Sequence, residues 1–481
     1  MNCSRLAVAG LAIATLASGQ EPVAAKIEPK LLQEDFRIAR SALEAGHSGI
    51  YRYTPKAELD RAFDTAAKQI AAPMTPLEFF RVLAPLVARI KCGHTAVTPA
   101  RDVQQAMNRT VPLFPFSLEV LGGKVYVFRE YSEDPAGIAG LEIRRINTVP
   151  IEGILSKMLA ATPGDADSQT VRPYRVGHEG GFPPLLYALI GIESPFQVEL
   201  RDPANGKTRE IKVSGLALPD RARVAASRYP QDKQPGNSAD LKFLDDGKIA
   251  ALTVYSFGGR PGPPEKQTLN QYFDSAFAEI QTRKSKSLIL DVRNNGGGAD
   301  ELGKQLLSYL LDQPFQYYDD LVFNAREFDF FRYVNNARPI PEDVVEKRAD
   351  GRYHNIKHPN WGLQQPRPPH FSGQVLVLMN GGSFSTTCEF LSNLHFRKRA
   401  TFIGEEAAGG YYGNSSGAIA SVALPNSKVL VRIPLMTYYL AVKDADPNRS
   451  ILPDYEIKPA IQDLLSGRDK AMAKAVELAH H

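Results

Sequence analysis

One serine lies in a position, between a predicted strand and a predicted helix, where it could act as a nucleophile. Ser385 lies in the segment 380–390, Asn-Gly-Gly-Ser-Phe-Ser-Thr-Thr-Cys-Glu-Phe, which follows an apolar stretch and leads into an apolar helical pattern. A serine between a strand and a helix N-terminus is exposed and faces backbone N–H groups, as acyl transfer requires. The residue types leave a second interpretation open, in which Ser383, Ser385 or Thr386 is only the N-cap of the helix.

A second turn of the same kind follows the apolar segment 287–292 and reads Arg293-Asn-Asn-Gly-Gly-Gly298. Glycines let backbone N–H groups approach a ligand without an intervening side chain. Taken alone, this segment needs to be no more than a glycine-rich turn from a strand to a helix. Two such turns in one chain favour a site between them.

An acyl-transfer serine also needs a base, and the chain has nine histidines. Histidine is suited to this role because its ordinary pKa is close to neutrality. Three lie in glycine-containing segments: His94 in Lys-Cys-Gly-His-Thr, His178 in Gly-His-Glu-Gly-Gly, and His47 in Glu-Ala-Gly-His-Ser-Gly. A lone histidine after a helix is usually a cap or a surface residue, so residue types alone do not choose among them.

The two turns belong to a region, 221–465, in which predicted strands and helices alternate. Such alternation is typical of βα units in a layered α/β core. The segment 287–292 is almost wholly apolar, which predicts a strand buried on both faces. Residues 313–372 are rich in aromatic residues, arginine and proline and have no clear period, so we interpret them as an insertion or flap.

Two domains are predicted before this core. Residues 26–105 show helical apolar spacing, and Thr75 with Glu78 matches a capping box, so this domain, which carries His94, is predicted to be helical. Residues 106–220 contain short alternating strands and one helix at 151–160, which predicts a β-rich domain. A C-terminal helix or tail is expected over 466–481.

The motifs in combination resemble the C-terminal-processing and tricorn-like serine peptidases. Phe-Ser-Thr-Thr-Cys-Glu-Phe at 384–390 is similar to their nucleophile segment, and Asp-Val-Arg-Asn-Asn-Gly-Gly-Gly at 291–298 to their oxyanion segment. Arg-Ala-Thr-Phe-Ile-Gly-Glu-Glu at 399–406 is similar to the strand and turn that follow. The segment beginning at Gly140 resembles part of a PDZ domain, a peptide-binding module.

The resemblance implies a fold and a set of roles. The expected class is α/β, a layered core of the ClpP and crotonase type with a helical domain and a PDZ-like domain. Ser385 is the implied nucleophile, and the oxyanion-hole amides fall on Gly297 and Thr386. We expect His178 and Gly296 to bind substrate.

The base distinguishes two branches of this family. Processing peptidases of the tail-specific kind place a lysine after the next glycine-rich turn, but here that turn, 404–414, has none. The tricorn-like branch uses a histidine from the N-terminal part of the chain, and the segment containing His94 resembles its Gly-His-Thr motif. His94 is therefore the implied base. The acid that orients it is expected just before Ile-Leu-Pro-Asp454, where Asp444 and Asp446 stand, and we name Asp446.

The N-terminus and the composition indicate where the protein works. Arg5, the apolar run 6–17 and the small residues after it have the order of a secretory signal peptide over 1–25, although a buried N-terminal helix is the alternative. We therefore expect the protein to be exported to the periplasm or outside the cell, with no membrane-spanning segment after the signal peptide is cleaved. Of three cysteines, Cys92 and Cys388 remain as a possible disulfide pair or as two buried thiols.

The expected function is hydrolysis of peptide bonds near the C-termini of peptides or proteins. A net charge of +4 over 481 residues is too small to indicate a nucleic-acid-binding surface, so no nucleic-acid partner is expected. No His-Glu-x-x-His and no Cys-x-x-Cys occurs, so neither a metal nor an organic cofactor is expected. The alternative is a catalytically inactive peptide- or ligand-binding protein on the same fold, because fold alone does not ensure activity.

Overall fold

The computed structural model describes residues 25–132, 135–232, 235–258 and 267–481. The predicted signal peptide therefore lies outside the described residues except for its last position. None of the helices in these ranges is both long and apolar enough to cross a membrane.

The N-terminal region is helical, as predicted. The capping box is present at the third helix, where the Glu78 N–H donates to Thr75 Oγ1 at 3.2 Å and the Thr75 N–H donates to Glu78 Oε2 at 2.7 Å. Its short strand β1 pairs antiparallel with the strand Leu430–Leu440 of the core, which draws the segment just before β1 into the core. The elements are α1 Pro29–Gly46, α2 Lys56–Ala67, α3 Pro76–Ala88, β1 Ala96–Thr98 and α4 Arg101–Arg109.

A second region folds around its own apolar core as a sheet of order β2-β3-β4-β6-β7, with β5 paired to β4. The strand Phe196–Arg201 of this sheet alternates buried with more exposed residues, and the sheet packs on the helix predicted at 151–160. Its PDZ likeness stays a prediction. The elements are β2 Phe116–Leu121, β3 Lys124–Glu130, β4 Glu142–Ile146, β5 Val149–Pro150, α5 Ile151–Ala161, α6 Val171–Val176, α7 Phe182–Leu185, β6 Phe196–Arg201 and β7 Thr208–Val213.

The α/β core begins with an antiparallel strand and continues with parallel ones. β9 and β10 are parallel neighbours, and all five residues of β10 are buried, as the apolar run predicted. The elements up to residue 308 are α8 Leu218–Arg228, β8 Ala239–Leu244, β9 Ile249–Val254, α9 Leu269–Arg283, β10 Ser287–Asp291 and α10 Asp300–Ser308.

Residues 313–372, interpreted from the sequence as an insertion or flap, are part of the folded core. This segment supplies strands to a second sheet, in which Tyr318–Phe323 lies between the strands Leu430–Leu440 and Tyr353–Asn355. The period was unreadable because the strands are short and separated by turns, and because aromatic residues in the strands and turns, such as Tyr318 and Tyr317, are fully buried. The elements are β11 Phe315–Gln316, β12 Tyr318–Phe323, β13 Val345–Lys347, β14 Tyr353–Asn355 and β15 Leu363–Gln364.

The remaining elements complete both sheets. The first sheet has the order β20-β17-β16-β10-β9-β8, parallel except for β8. In the second sheet β19 pairs with β1, β12 and β18. The elements are β16 Gln374–Met379, α11 Thr386–Phe396, β17 Thr401–Gly404, β18 Ser415–Ala423, β19 Leu430–Leu440, β20 Tyr455–Glu456, α12 Ile461–Ser466 and α13 Lys470–Ala479.

Candidate active site

The two glycine-rich turns meet at one edge of the first sheet. β10 and β16 are parallel neighbours, with Asp291 beside Leu378, so the segments that follow them leave the sheet side by side. The Phe384 N–H donates to the carbonyl of Asn295 at 3.0 Å, which joins the turns directly. The side chain of Asn295 is fully buried and donates to the carbonyl of Val254, so the glycine-rich turn is also fixed to β9.

Ser385 occupies a strained position between β16 and α11. Its φ of 57° and ψ of −127° lie in a region that residues other than glycine rarely adopt. A strained serine at a turn from strand to helix is the geometry of a nucleophile elbow. Ser385 stands at the N-cap position, but its side chain makes no capping hydrogen bond. The interpretation of Ser385 as merely an N-cap therefore fails.

The other two candidates for the N-cap have structural partners. Ser383 Oγ donates to the carbonyl of Val292 at 2.8 Å, and Thr386 Oγ1 donates to the carbonyl of Gly298 at 2.8 Å. Both hydroxyls thus tie the segment 380–386 to the segment 292–298. Only Ser385 directs its hydroxyl group away from these contacts and toward a base.

His94 is that base candidate. Its Nε2 lies 3.0 Å from Ser385 Oγ, within the range expected for a nucleophile and its base. The imidazole ring stacks on the ring of Phe384, with centroids 4.6 Å apart, which fixes its plane. Gly93 permits this packing, because a Cβ at that position would lie 2.6 Å from Cζ of Phe384.

The environment of His94 keeps its imidazole neutral. Burial lowers the pKa of His94 to about 3, and the positive charges of Arg175 and Arg432 and the ring of His47 act in the same direction. A neutral Nε2 can accept the hydroxyl proton of Ser385. The same surroundings resist the imidazolium that would form after the transfer, so the ring needs a counter-charge at that moment.

The two predicted oxyanion-hole amides, those of Thr386 and Gly297, differ in whether their N–H groups are already hydrogen-bonded. The N–H of Thr386 has no acceptor among the described residues, as a donor awaiting a ligand should. The N–H of Gly297 donates to Asn295 Oδ1 at 2.9 Å, so Gly297 is not a free donor. Its neighbour Gly298 has an N–H without an acceptor in the described part of the chain. An Asx turn at Asn295, invisible in the sequence pattern, causes this change.

Position 297 requires glycine because of its backbone conformation and the lack of space for a side chain. Its φ is +98°, and a Cβ would lie 2.7 Å from Cβ of Ser385 and 2.9 Å from the carbonyl of Phe384. The absence of a side chain at this position therefore lets the two turns approach each other. Gly296, by contrast, is exposed and open, since a Cβ there would meet no atom within 4 Å.

His178 lies beside the nucleophile turn without touching Ser385. Its Nδ1 is 2.9 Å from Glu119 Oε1, and its ring stacks on Tyr174 with centroids 4.9 Å apart. Tyr174 in turn packs on Gly382, where a Cβ would come within 2.4 Å of the phenol ring. Burial alone would lower the pKa of His178, but the hydrogen bond to Glu119 raises it. The position is compatible with the predicted contact to substrate.

The structure does not bring Asp446 to His94. Asp446 is exposed and its Oδ1 accepts from the N–H of Asn448, within the turn 446–449, whereas Nδ1 of His94 is buried. The acid found behind the histidine is Asp165, whose Oδ1 accepts from the N–H of Gly93 at 2.5 Å. Asp165 follows a Pro-Gly pair after α5, and no pattern in the sequence connects it with His94.

A second buried acid, Glu389, stands on the other side of the nucleophile, in the first turn of α11. Its Oε1 accepts from Asn414 Nδ2 at 2.8 Å, and its Oε2 lies 2.7 Å from the hydroxyl of Tyr318. That hydroxyl also lies 2.7 Å from Asp300 Oδ2. Burial, together with the charge of Asp300, raises the pKa of Glu389 to about 8.

The two cysteines near the site are free and buried. Cys388 Sγ donates to the carbonyl of Ser383 at 2.9 Å and Cys92 Sγ to that of Ser415 at 3.4 Å, so each thiol has a structural partner. Burial raises the pKa of Cys92 to about 11 and that of Cys388 to about 12. Of the two states considered for these cysteines, the structure has the unbridged one.

With this geometry in place, the comparisons identify the catalytic region. Residues 248–457 match the family model for peptidase family S41. The chain carries a peptidase domain of family S41. It is therefore a serine-type peptidase, and the resemblance noted in the sequence is confirmed at this level. A search of curated proteins finds no match.

Solved structures extend the likeness of the peptidase beyond the matched segment. Mature CPAF is 15% identical over 94% of this chain and 96% of that chain, with a TM-score of 0.62. Mature CPAF complexed with lactacystin is 14% identical over 94% of this chain and 98% of that chain, also with a TM-score of 0.62. The likeness shows that the fold is shared from the helical region to the C-terminus. His94 and Asp165 lie outside the segment matched by the family model, so their roles depend on the geometry.

Proposed function

We propose that this S41 peptidase cleaves peptide bonds with Ser385 as nucleophile and His94 as general base. The observation that carries the proposal is the 3.0 Å contact between Ser385 Oγ and His94 Nε2 at a strained turn before α11. A serine used only for structure would satisfy its hydroxyl locally, as Ser383 does. Ser385 is instead held in an unfavourable backbone conformation that aims it at a neutral imidazole.

The reaction has two proton transfers. His94 Nε2 takes the hydroxyl proton as Ser385 Oγ attacks the carbonyl carbon, and it then gives the proton to the leaving amine. The resulting acyl-enzyme is hydrolysed when His94 activates a water molecule in the same way. The N–H groups of Thr386 and of the glycine turn, with Gly298 as the free donor there, stabilise the oxyanion by roughly 3 kcal/mol each.

Cleavage near C-termini is part of the proposal. The region of β2–β7 resembles a peptide-end binding module, and its residues Tyr174 and His178 lie against the nucleophile turn at Gly382. A peptide held along this region would be delivered to Ser385 by its terminal residues. Export is also proposed, on the strength of the charged, apolar and small-residue order of residues 1–25.

Labelling with a fluorophosphonate probe tests the proposed pair. We expect wild type to be labelled at Ser385, Ser385→Ala not at all, and His94→Ala much more slowly, while Ser275→Ala, which removes an exposed serine, labels like wild type. Lactacystin, which is bound in one CPAF structure, serves as a competitor. A folded wild type that is not labelled would favour the alternative of an inactive binding protein.

A second assay addresses the position of cleavage. Peptides of one sequence are compared with a free and with an amidated C-terminus, and the products are identified by mass spectrometry. We expect cleavage close to the free C-terminus and a higher KM for the amidated form. Equal cleavage at internal sites of both peptides would contradict the C-terminal preference while leaving the nucleophile assignment intact.

A further inference from the structure

Two complementary polar atoms behind the catalytic pair have no partners. His94 Nδ1 and Asp165 Oδ2 are both buried, and neither makes a hydrogen bond to any residue that the structure describes. One atom is a donor in the tautomer that leaves Nε2 free to accept, and the other is an acceptor. Unsatisfied buried groups are costly, so two at one place call for an explanation.

The two side chains are close to each other. A carboxylate oxygen of Asp165, a ring nitrogen of His94 and Cys92 Sγ all lie within 4.8 Å of one another. Asp165 is 1% exposed, and its Oδ1 is anchored by the N–H of Gly93, the residue before the histidine. Oδ2 makes no hydrogen bond to the described residues, although the backbone N–H of Gly410 also favours the charged carboxylate by lowering the pKa of Asp165.

We propose that Asp165 is the positioning acid of His94, its Oδ2 accepting the Nδ1–H of the imidazole when substrate is bound. This inference rests on the proposed function, because it concerns the base of the same reaction. Asp165 acts through His94 and does not touch the substrate. It takes the role that the sequence assigned to Asp446.

The chemistry requires such a partner. When Nε2 takes the proton from Ser385 Oγ, the imidazole becomes positive in a buried place that already contains the guanidinium of Arg175, stacked 4.5 Å from the centre of the Phe384 ring. Burial raises the pKa of Asp165, while the N–H of Gly93 and the charge of Arg175 lower it. In its ionised form the carboxylate provides the opposite charge. The proton returns to the leaving amine, so Asp165 gains and loses none.

A metal ion held by Cys92, His94 and Asp165 is the competing explanation of the same cluster. The bonds already present argue against it, since Cys92 Sγ donates to the carbonyl of Ser415 and Asp165 Oδ1 accepts from Gly93. A coordinated cysteine would have to be a thiolate. The acid–imidazole pair, by contrast, needs no change in these bonds and joins side chains whose polar atoms already lie within 4.8 Å.

The test is Asp165→Asn, with Asp167→Asn as a matched control. Asn at position 165 keeps the acceptor for Gly93 but presents an amide to Nδ1, which favours the wrong tautomer of His94. We expect kcat on a peptide substrate to fall by roughly 10³- to 10⁴-fold with KM little changed. Asp167 lies two residues after Asp165, and its carboxylate forms an ion pair with Lys91 at 2.6 Å. Asp167→Asn should therefore leave kcat unchanged.

A readout independent of activity separates this inference from the proposed function. In protein labelled with ¹⁵N-histidine, the His94 signals should show the Nδ1–H tautomer in wild type and the Nε2–H tautomer in Asp165→Asn. The same tautomer in both proteins would overturn the proposal even if Ser385 is catalytic. Loss of activity in Asp446→Asn but not in Asp165→Asn would overturn it as well, and so would Asp165→Asn protein that retains full kcat.

Discussion

Two buried acids flank the nucleophile turn, and they are satisfied in different ways. Glu389 has a partner at each oxygen, Asn414 at one and Tyr318 at the other. Asp165 has a partner at Oδ1 but none at Oδ2 among the described residues. A buried carboxyl group with all its bonds made contributes to the fold, whereas one with a free oxygen beside an imidazole is poised for a charge that appears only during reaction.

A count of protons sharpens the contrast. The hydroxyl of Tyr318 has one proton but lies 2.7 Å from an oxygen of both Glu389 and Asp300. It can donate to only one carboxylate, so the other contact needs a proton on the carboxyl group. The raised pKa of Glu389, which follows from burial and from the charge of Asp300, agrees with a protonated Glu389. The carboxyl group of Glu389 therefore keeps its proton in the folded protein, whereas His94 takes up a proton from Ser385 and releases it during the reaction.

The largest expected effect is on turnover, at the His94 side. Ser385→Ala and His94→Ala should each lower kcat by roughly 10⁴-fold or more, and the double variant should be little worse, because nucleophile and base act as a unit. Steady-state kinetics on one peptide gives all three values, and circular dichroism checks that the variants are folded. Losses that multiply in the double variant would mean that His94 only positions substrate.

The next effect is on stability, at the Glu389 side. Glu389→Ala should lower the free energy of unfolding by about 3 kcal/mol, because it leaves Asn414 Nδ2 without its acceptor in the interior and removes one of the two partners of the Tyr318 hydroxyl. Glu389→Gln keeps the shape and most of the bonds, so it should cost less. Denaturant unfolding measures both. Equal losses in the two variants would show that the hydrogen bonds do not account for the contribution of Glu389.

Replacing Glu389 should also change how stability depends on pH. Since the pKa of Glu389 is raised to about 8 in the folded state from 4.5, the native protein keeps a proton that the unfolded chain releases between these values. Rising pH across this window therefore destabilises wild type, by at most roughly 1.4 kcal/mol per pH unit. The glutamine in Glu389→Gln cannot titrate, so the stability of this variant relative to wild type should increase as pH rises.

Unfolding at pH 5, 6.5 and 8 provides the measurement. The buried histidines act in the opposite direction, since the pKa values of His47 and His94 are lowered to about 4 and about 3, and their contribution is lost as pH falls below 6.5. Both histidines are present in wild type and in Glu389→Gln, so their effect cancels in the difference. A difference that stays constant over this range would show that Glu389 holds no proton.

The contrast also shows what the sequence could and could not predict. Ser385 and His94 were found because each stands in a short motif, and the two turns were found because glycines follow apolar strands. Asp165 could not be found, since its relation to His94 exists only after α5 and α6 fold back on the core. The bond from the Gly297 N–H to Asn295 could not be predicted because an Asx turn depends on side-chain direction. The strands within 313–372 could not be predicted because they are short and separated by turns.

The smallest expected effect concerns the strain at Ser385, between the two acids. Its backbone, with φ of 57° and ψ of −127°, is one that glycine adopts without penalty, so Ser385→Gly should remove strain that Ser385→Ala retains. The gain is offset in part by the greater freedom of glycine in the unfolded chain, which leaves Ser385→Gly more stable than Ser385→Ala by about 1 kcal/mol. Both variants lack the hydroxyl, so activity does not enter the comparison. Chemical denaturation of the two proteins at one pH gives the difference. A glycine variant no more stable than the alanine variant would mean that the turn holds Ser385 toward His94 without stored strain.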